Sequence, residues 1–285
     1  MRGQAKKKVA VILTIVIFVI AAIAIYFNIP YSRLRNEFKK SMDKCHEESY
    51  KAEEQKIFDL ESMPEPLQKF YQFTGLDKEM YSYHVGFYFK EADFLNSTSN
   101  KYMKIKYDEH IYGKAPSHLA FIDSSMYGIP FQGLDSYVDG DGRMKGVIAK
   151  NFTIFNIDGE SMDKSALVTW LAETIFMPTE FLSGRISLEE IGDNSIKASI
   201  ENKGIIVSGV FHFDNEGRLI SFDTEDRAYT KNDGTMEYTS WSAYFDDYQK
   251  KGDYMLPDNL KAVWHFADAD QKYFDGHNIK YTFYK

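Results

Sequence analysis

The chain has one cysteine, Cys45, among 285 residues, so no intramolecular disulfide can brace it. It also lacks the short motifs that mark common catalytic sites. There is no G-x-S-x-G elbow, no phosphate-binding loop, no dinucleotide fingerprint and no kinase signature. The seven histidines are scattered, and none stands three or four residues from another His or from Cys45, which removes the helical zinc signature. Asp139-Gly140-Asp141-Gly142 resembles the start of a calcium loop. Its twelfth position is Lys150, where the loop needs a carboxylate, so the run reads as a turn. These patterns give no metal and no cofactor. His212 and His265 alternate with aromatic neighbours on expected strands, which places them on the solvated face rather than in a catalytic site.

A basic excess is missing from most of the chain. The net charge is −8, and the positive charge gathers at one end. Residues 1–40 carry Arg2, Lys6, Lys7, Lys8, Arg33, Arg35, Lys39 and Lys40 against a single acid, Glu37. The remainder is strongly acidic, which excludes nucleic-acid binding through phosphate neutralisation and a polybasic membrane-reading face.

One long apolar run is present. Val9–Phe27 is broken only by Thr14, and as a helix it spans roughly 28 Å, about the thickness of a bilayer's hydrocarbon core. Residues 1–8 form a basic tail before it, and Tyr26 and Phe27 stand where an aromatic belt would lie. Residues 9–27 are therefore expected to anchor the chain as a single-pass segment in the cell membrane. The N-terminus is then cytoplasmic and the C-terminal body extracytoplasmic. Basic residues on the far flank equalise the Lys and Arg count, so this orientation rests on the short tail and on the cluster abutting the run. Ala22-Ile23-Ala24 would suit signal cleavage, but the run is long for a signal segment, which favours an uncleaved anchor.

Residues 28–61 are expected to form a polar helical stalk, with a thin stripe of Leu34, Phe38, Met42 and Cys45. Cys45 reads as a spare thiol on that polar helix. Residues 62–285 read as one β-rich domain. Ser62 and Pro64 open a short helix that Gly75 closes. Strict alternation over residues 80–90 begins a run of strands, and 164–176 is a helix with Asp163 as its cap and Pro178 as its stop. Turns rich in Gly, Asn and Asp, such as Asn202-Lys203-Gly204 and Asn232-Asp233-Gly234, separate the later strands as hairpins. The expected class is α+β: a curved antiparallel sheet, like an open half-barrel, packed on one or two helices after a single N-terminal transmembrane helix.

Trp170, Phe176, Phe181, Trp241, Tyr244 and Trp264 form an aromatic strip. It fills a core or lines an apolar cavity between helix and sheet, and these six are the candidate ligand-binding residues.

Ordered blocks along residues 62–285 resemble a bacterial family of unknown function whose members are membrane-anchored or exported. They are Met63–Tyr71 with Thr74-Gly75, Gly159–Asp163 leading into Trp170–Glu173, Met177-Pro178-Thr179, Val210–Phe213 with Gly217-Arg218, Trp241-Ser242, and Leu256-Pro257 with Val263-Trp264. Tyr102 departs from that pattern, where relatives tend to carry a Trp nearby. The resemblance transfers no catalytic residue. More loosely, the strand meander is similar to the half-barrels of bacterial lipoprotein carriers, an analogy of fold alone. Three readings follow: a binding module for a lipid or other apolar ligand, an ectodomain that binds another envelope protein, and a hydrolase with no recognisable motif.

Overall fold

The computed structural model describes residues 2–51, 58–78, 82–96, 99–126, 128–231 and 233–284. Residues 52–57 of the expected stalk, Met80 and Tyr81 of the first expected strand, and Asn232 of a hairpin turn lie outside the described residues.

Helix α1 (Arg2–Asn28) is the one helix among the described residues long and apolar enough to cross a membrane. Its apolar side chains from Val9 to Ile25 are exposed, so none of the described residues buries them. After α2 (Arg33–Lys51) and α3 (Glu65–Thr74), six strands run in sequence: β1 (His84–Asn96), β2 (Lys101–Tyr112), β3 (Ser117–Met126), β4 (Ile129–Val138), β5 (Asp141–Ile148) and β6 (Phe152–Ile157). Two helices follow, α4 (Glu160–Glu173) and the short α5 (Pro178–Phe181). A second series then begins with β7 (Ser187–Gly192), β8 (Ser195–Asn202), β9 (Ile205–Phe213) and β10 (Leu219–Thr224). A separate hairpin of β11 (Ala228–Thr230) and β12 (Met236–Tyr238) interrupts it. It resumes with β13 (Trp241–Lys251), β14 (Tyr254–His265), β15 (Asp270–His277) and β16 (Lys280–Tyr284).

The fourteen-stranded sheet is antiparallel throughout, in the order β6-β5-β4-β3-β2-β1-β15-β14-β13-β10-β9-β8-β7, with β16 also paired to β1. Two meanders are thus joined along β1. Ala92–Phe94 pair with β15, His84–Tyr88 pair with β16, and an irregularity between Phe89 and Ala92 lies between the two stretches. The class is α+β. A sheet of this width must curl, and α3 and α4 pack into the main core it encloses.

Side-chain alternation decides what faces what. On β3, Leu119 and Phe121 point to one side, and His118 and Ile122 to the other. The second side holds the main core with Leu167, Trp170 and Leu171 of α4. The first side is covered by α2, the helical part of the expected polar stalk, which packs on the sheet. Leu34, Phe38 and Cys45, with Met42 beside them, pack on Tyr112, Leu119, Phe121, Leu134 and Val147. The thin stripe is narrow because it meets a flat sheet face, and β3 is buried on both sides as a result. Ion pairs of Arg35 with Asp123, Lys145 with Glu37 and Lys44 with Asp139 flank the contact. Cys45 is therefore buried rather than spare, and burial raises its thiol pKa to about 11.

Local chemistry differs from the sequence reading at several ends. Ser62 does not cap α3; its hydroxyl donates to the Asp59 carbonyl, while Gly75 closes that helix in the left-handed region (φ 74°). Asp163 is not the cap of α4; Gly159 stands at the cap position and Asp163 lies within the first turns. Its carboxylate instead accepts the Gly142 N–H at 2.6 Å and ties the β4–β5 turn to the helix. A Cβ at Gly142 would stand 2.5 Å from the Met162 carbonyl oxygen, so the turn reaches α4 only because that residue is glycine. Strands β6 and β15 were not expected. The first is short, and the second is polar over most of its length.

Under α2, His84 is sandwiched between Tyr112 and Tyr284, with ring centroids 4.1 and 4.0 Å away, and its Nε2 shares a hydrogen bond with His110 Nδ1 (2.8 Å). Burial, then the neighbouring His110 and His46, lowers the His84 pKa to about 3. The unfolded chain therefore holds a proton on this residue between about pH 3 and its ordinary value near 6.5 that the folded chain does not, and stability falls as pH drops through that window. By pH 5 the loss from this group is about 2 kcal/mol. Thermal unfolding of the detergent-solubilised chain at pH 7 and pH 5 measures it. His84→Phe, which keeps the ring stack, should show a smaller drop in Tm between the two.

Candidate functional site

Between α4, the β11–β12 hairpin and the concave face of the sheet lies a cavity of about 1250 Å³. That exceeds the roughly 300–1,000 Å³ of a typical small-molecule pocket. Its walls are largely apolar: Phe89, Phe94 and Phe274 near the seam, Phe131 and Met144 on β4 and β5, and Phe245, Leu260, Trp241 and Trp264 on β13 and β14. Space exists because several inward positions are small. Ala243 and Ala262, which face each other across β13 and β14, contribute no bulk, and neither do Gly133 and Ala172. Exposed Tyr102 and Ile154 belong to the lining, so the cavity reaches the surface beside the β1–β2 turn and β6.

The floor is polar. Glu109 on β2, Asp135 on β4, Glu173 at the end of α4 and Arg227 beside β11 all line the cavity, and His118 on β3 adjoins them. His118 Nε2 donates to Glu109 Oε1 at 2.6 Å, and the Tyr107 hydroxyl donates to the same oxygen at 3.1 Å. Arg227 donates to the Thr169 hydroxyl and to the Ser165 carbonyl, and its guanidinium lies 4.6 Å from the Trp241 ring centroid. Glu109, His118 and Glu173 are each buried, and one ligand atom from each lies within 4.8 Å of the other two. This trio could hold a metal ion.

Burial, reinforced by the charge of Glu109, raises the Glu173 carboxyl well above the ordinary range. Burial likewise raises Asp135. For His118 burial opposes the charged form, but its hydrogen bond to Glu109 and that residue's charge overcome this and raise its pKa. Three acids beside one arginine and one histidine thus make a floor whose charge depends on what occupies it.

The six aromatic candidates do not share one surface. Trp241 and Trp264 line the cavity, and Trp241 Nε1 donates to the Tyr273 hydroxyl (3.1 Å). Trp170 is fully buried and donates its Nε1–H to the Tyr112 carbonyl (2.7 Å), pinning α4 to the sheet. Phe176 packs among Phe70, Phe87, Phe245 and Tyr281, and Phe181 against Phe211, so both fill core. Tyr244 alternates away from Ala243 and Phe245 and lies on the other face of the sheet. The polar floor escaped sequence reading because its residues come from separate strands and a helix. The one local signal was a charged residue inside an otherwise apolar strand or helix face, as at Glu109 and Glu173.

Residues 54–276 match the sequence model of DUF6544. The chain belongs to DUF6544, a family of unknown function. No curated protein matches it. Among solved structures, the DUF6544 domain is similar to a LolA superfamily protein from Nitrosomonas europaea, with 10% identity, 75% of this chain and 91% of that chain covered, and a TM-score of 0.39. It is similar to a putative outer membrane lipoprotein-sorting protein domain from Vibrio parahaemolyticus, with 10% identity, 73% and 91% covered, and a TM-score of 0.39. A DUF1329 family protein from Desulfovibrio piger is also similar, with 10% identity, 77% and 92% covered, and a TM-score of 0.35.

With Glu173 held towards its protonated form, the folded state keeps a proton that the unfolded chain releases near pH 4.5. Stability is therefore lost as pH rises above that value. Glu173→Gln supplies a neutral side chain of the same shape and removes the loss. In metal-free buffer, its Tm relative to the parent chain should rise from pH 5 to pH 8. A variant that falls further behind the parent at pH 8 would show that Glu173 is folded as a carboxylate.

Proposed function

We propose that this protein binds an amphiphilic, acyl-chain-bearing ligand taken from the membrane in which it is anchored. The observation that carries this reading is the cavity itself: large and apolar-walled, with Glu109, Asp135, Glu173 and Arg227 at its floor and Lys101, Lys104 and Lys231 elsewhere in its lining. Apolar walls favour the burial of hydrocarbon, at about 25 cal/mol for each Å² removed from water. A polar floor suits a headgroup rather than a plain hydrocarbon, and Arg227 gives it a cation held in place by two hydrogen bonds.

The position of the cavity mouth supports a membrane source. Lys150, just before β6, donates through Nζ to the carbonyls of Tyr26 (2.9 Å) and Ile29 (2.6 Å) at the end of α1. Asn151 donates to the Tyr26 hydroxyl at 2.7 Å. Strand β6 therefore begins beside the end of the expected transmembrane helix. Its Phe152 and Ile154 are exposed (68% and 51%), and Ile154 also lines the cavity. Apolar side chains there would enter the bilayer interface and bring the mouth to the lipid. In this reading α1 is an uncleaved anchor in the cell membrane, its basic tail is cytoplasmic, and the domain lies outside.

Native mass spectrometry of the full chain released from detergent micelles tests the ligand. An amphiphile-sized adduct is expected on the parent protein and should be absent from Ala262→Trp, which fills the cavity wall. Phe152→Asp combined with Ile154→Asp should slow uptake of a fluorescent fatty acid from vesicles while leaving the filled state intact. A parent chain that carries no adduct and takes up no probe would overturn the reading.

A further inference from the structure

We propose that Glu109, His118 and Glu173 form a binding site for a divalent transition-metal cation of the zinc type. The proposal goes beyond ligand binding in the cavity and does not depend on it.

The three side chains are 2%, 0% and 9% exposed, and their ligand atoms already lie within 4.8 Å of one another. A tetrahedral ion about 2.1 Å from each would need those atoms roughly 3.5 Å apart, so shifts on the order of 1 Å suffice. One imidazole with two carboxylates suits a zinc-type ion, whereas calcium and magnesium take all-oxygen sets. The ligands stand on β2, β3 and α4, rigid elements that hold them with little freedom.

A second observation points to a ligand. Glu173 brings its carboxylate into the group, and its buried Oε2 has no hydrogen-bond partner; Nδ1 of His118 and Oδ1 of Asp135 are also buried and unpartnered. Buried polar atoms of this kind are rare in folded proteins, and an ion or water is a usual explanation. Formal charge agrees. With an ion bound and its ligands deprotonated, Glu109, Glu173 and Asp135 as carboxylates with Arg227 charged sum to minus two, which a divalent cation closes without an unpaired buried charge. Glu109 and Glu173 both line the cavity, and His118 stands behind them, so a three-ligand ion would keep a coordination position on the cavity side.

Isothermal titration of zinc into the chelator-treated, detergent-solubilised full chain tests the site. One ion per chain is expected, with Glu173→Gln and Glu109→Gln each weakening it at least tenfold. Glu61→Gln, an acid elsewhere on the surface, serves as the control and should bind like the parent chain. Cobalt provides a readout that does not depend on the variants folding. The parent chain should show d–d absorption of nitrogen and oxygen ligation without a thiolate charge-transfer band, which separates this site from Cys45. No saturable ion on the folded parent chain, a thiolate band, or equal affinity in a folded Glu173→Gln would overturn the proposal. Zinc binding by a chain that takes up no amphiphile would leave the metal site standing while removing the ligand reading.

Discussion

Strand β1 is the seam on which the rest of the structure depends. It pairs with β2 along one edge and with β15 and β16 along the other, and so joins strands almost 200 residues apart in the chain. Without that junction the two meanders would be separate sheets with open edges, and the concave face would not close around α4. Such non-local pairings form late and slowly, because loop closure costs entropy before the contact rewards it. The cavity, the polar floor and the sandwiching of β3 all follow from the seam.

Two helices use the same strand in opposite ways. On β3, Leu119 and Phe121 meet α2, whereas His118 and Ile122 look inward. The layer under α2 is well packed and contains His84 and His110, whereas the layer on the α4 side is only partly filled. The difference lies in side-chain size: α2 brings Leu34 and Phe38 to a flat face, but the inner wall of β13 and β14 carries Ala243 and Ala262 where bulk would close the space. A protein that leaves this much volume unfilled gives up packing energy that a ligand could restore.

The floor of the cavity combines features that are costly unless compensated. Glu109 is satisfied by His118 and Tyr107, and Arg227 by α4 and Trp241. Glu173, at the end of α4, keeps one oxygen without a partner. That asymmetry leaves an unpaired carboxyl oxygen at the end of the helix, beside the apolar space of the cavity. An amphiphile's polar end and a bound cation would both act on this same charge arrangement.

The apolar run of α1, the antiparallel hairpins and the α+β class were legible in the sequence, because hydrophobic runs, period-two alternation and turn residues act over a few positions. So was the apolar stripe on α2, although not what it covers. Tertiary structure alone decided that α2 lies on the sheet, that Trp241 and Trp264 face a cavity while Trp170, Phe176 and Phe181 fill core, and that Glu109, His118 and Glu173 meet. The physical reason is the same in each case. Local periodicity fixes which way a side chain points from its own strand or helix, but what it meets there depends on pairings between distant segments, and these carry no signature in the spacing of neighbouring residues.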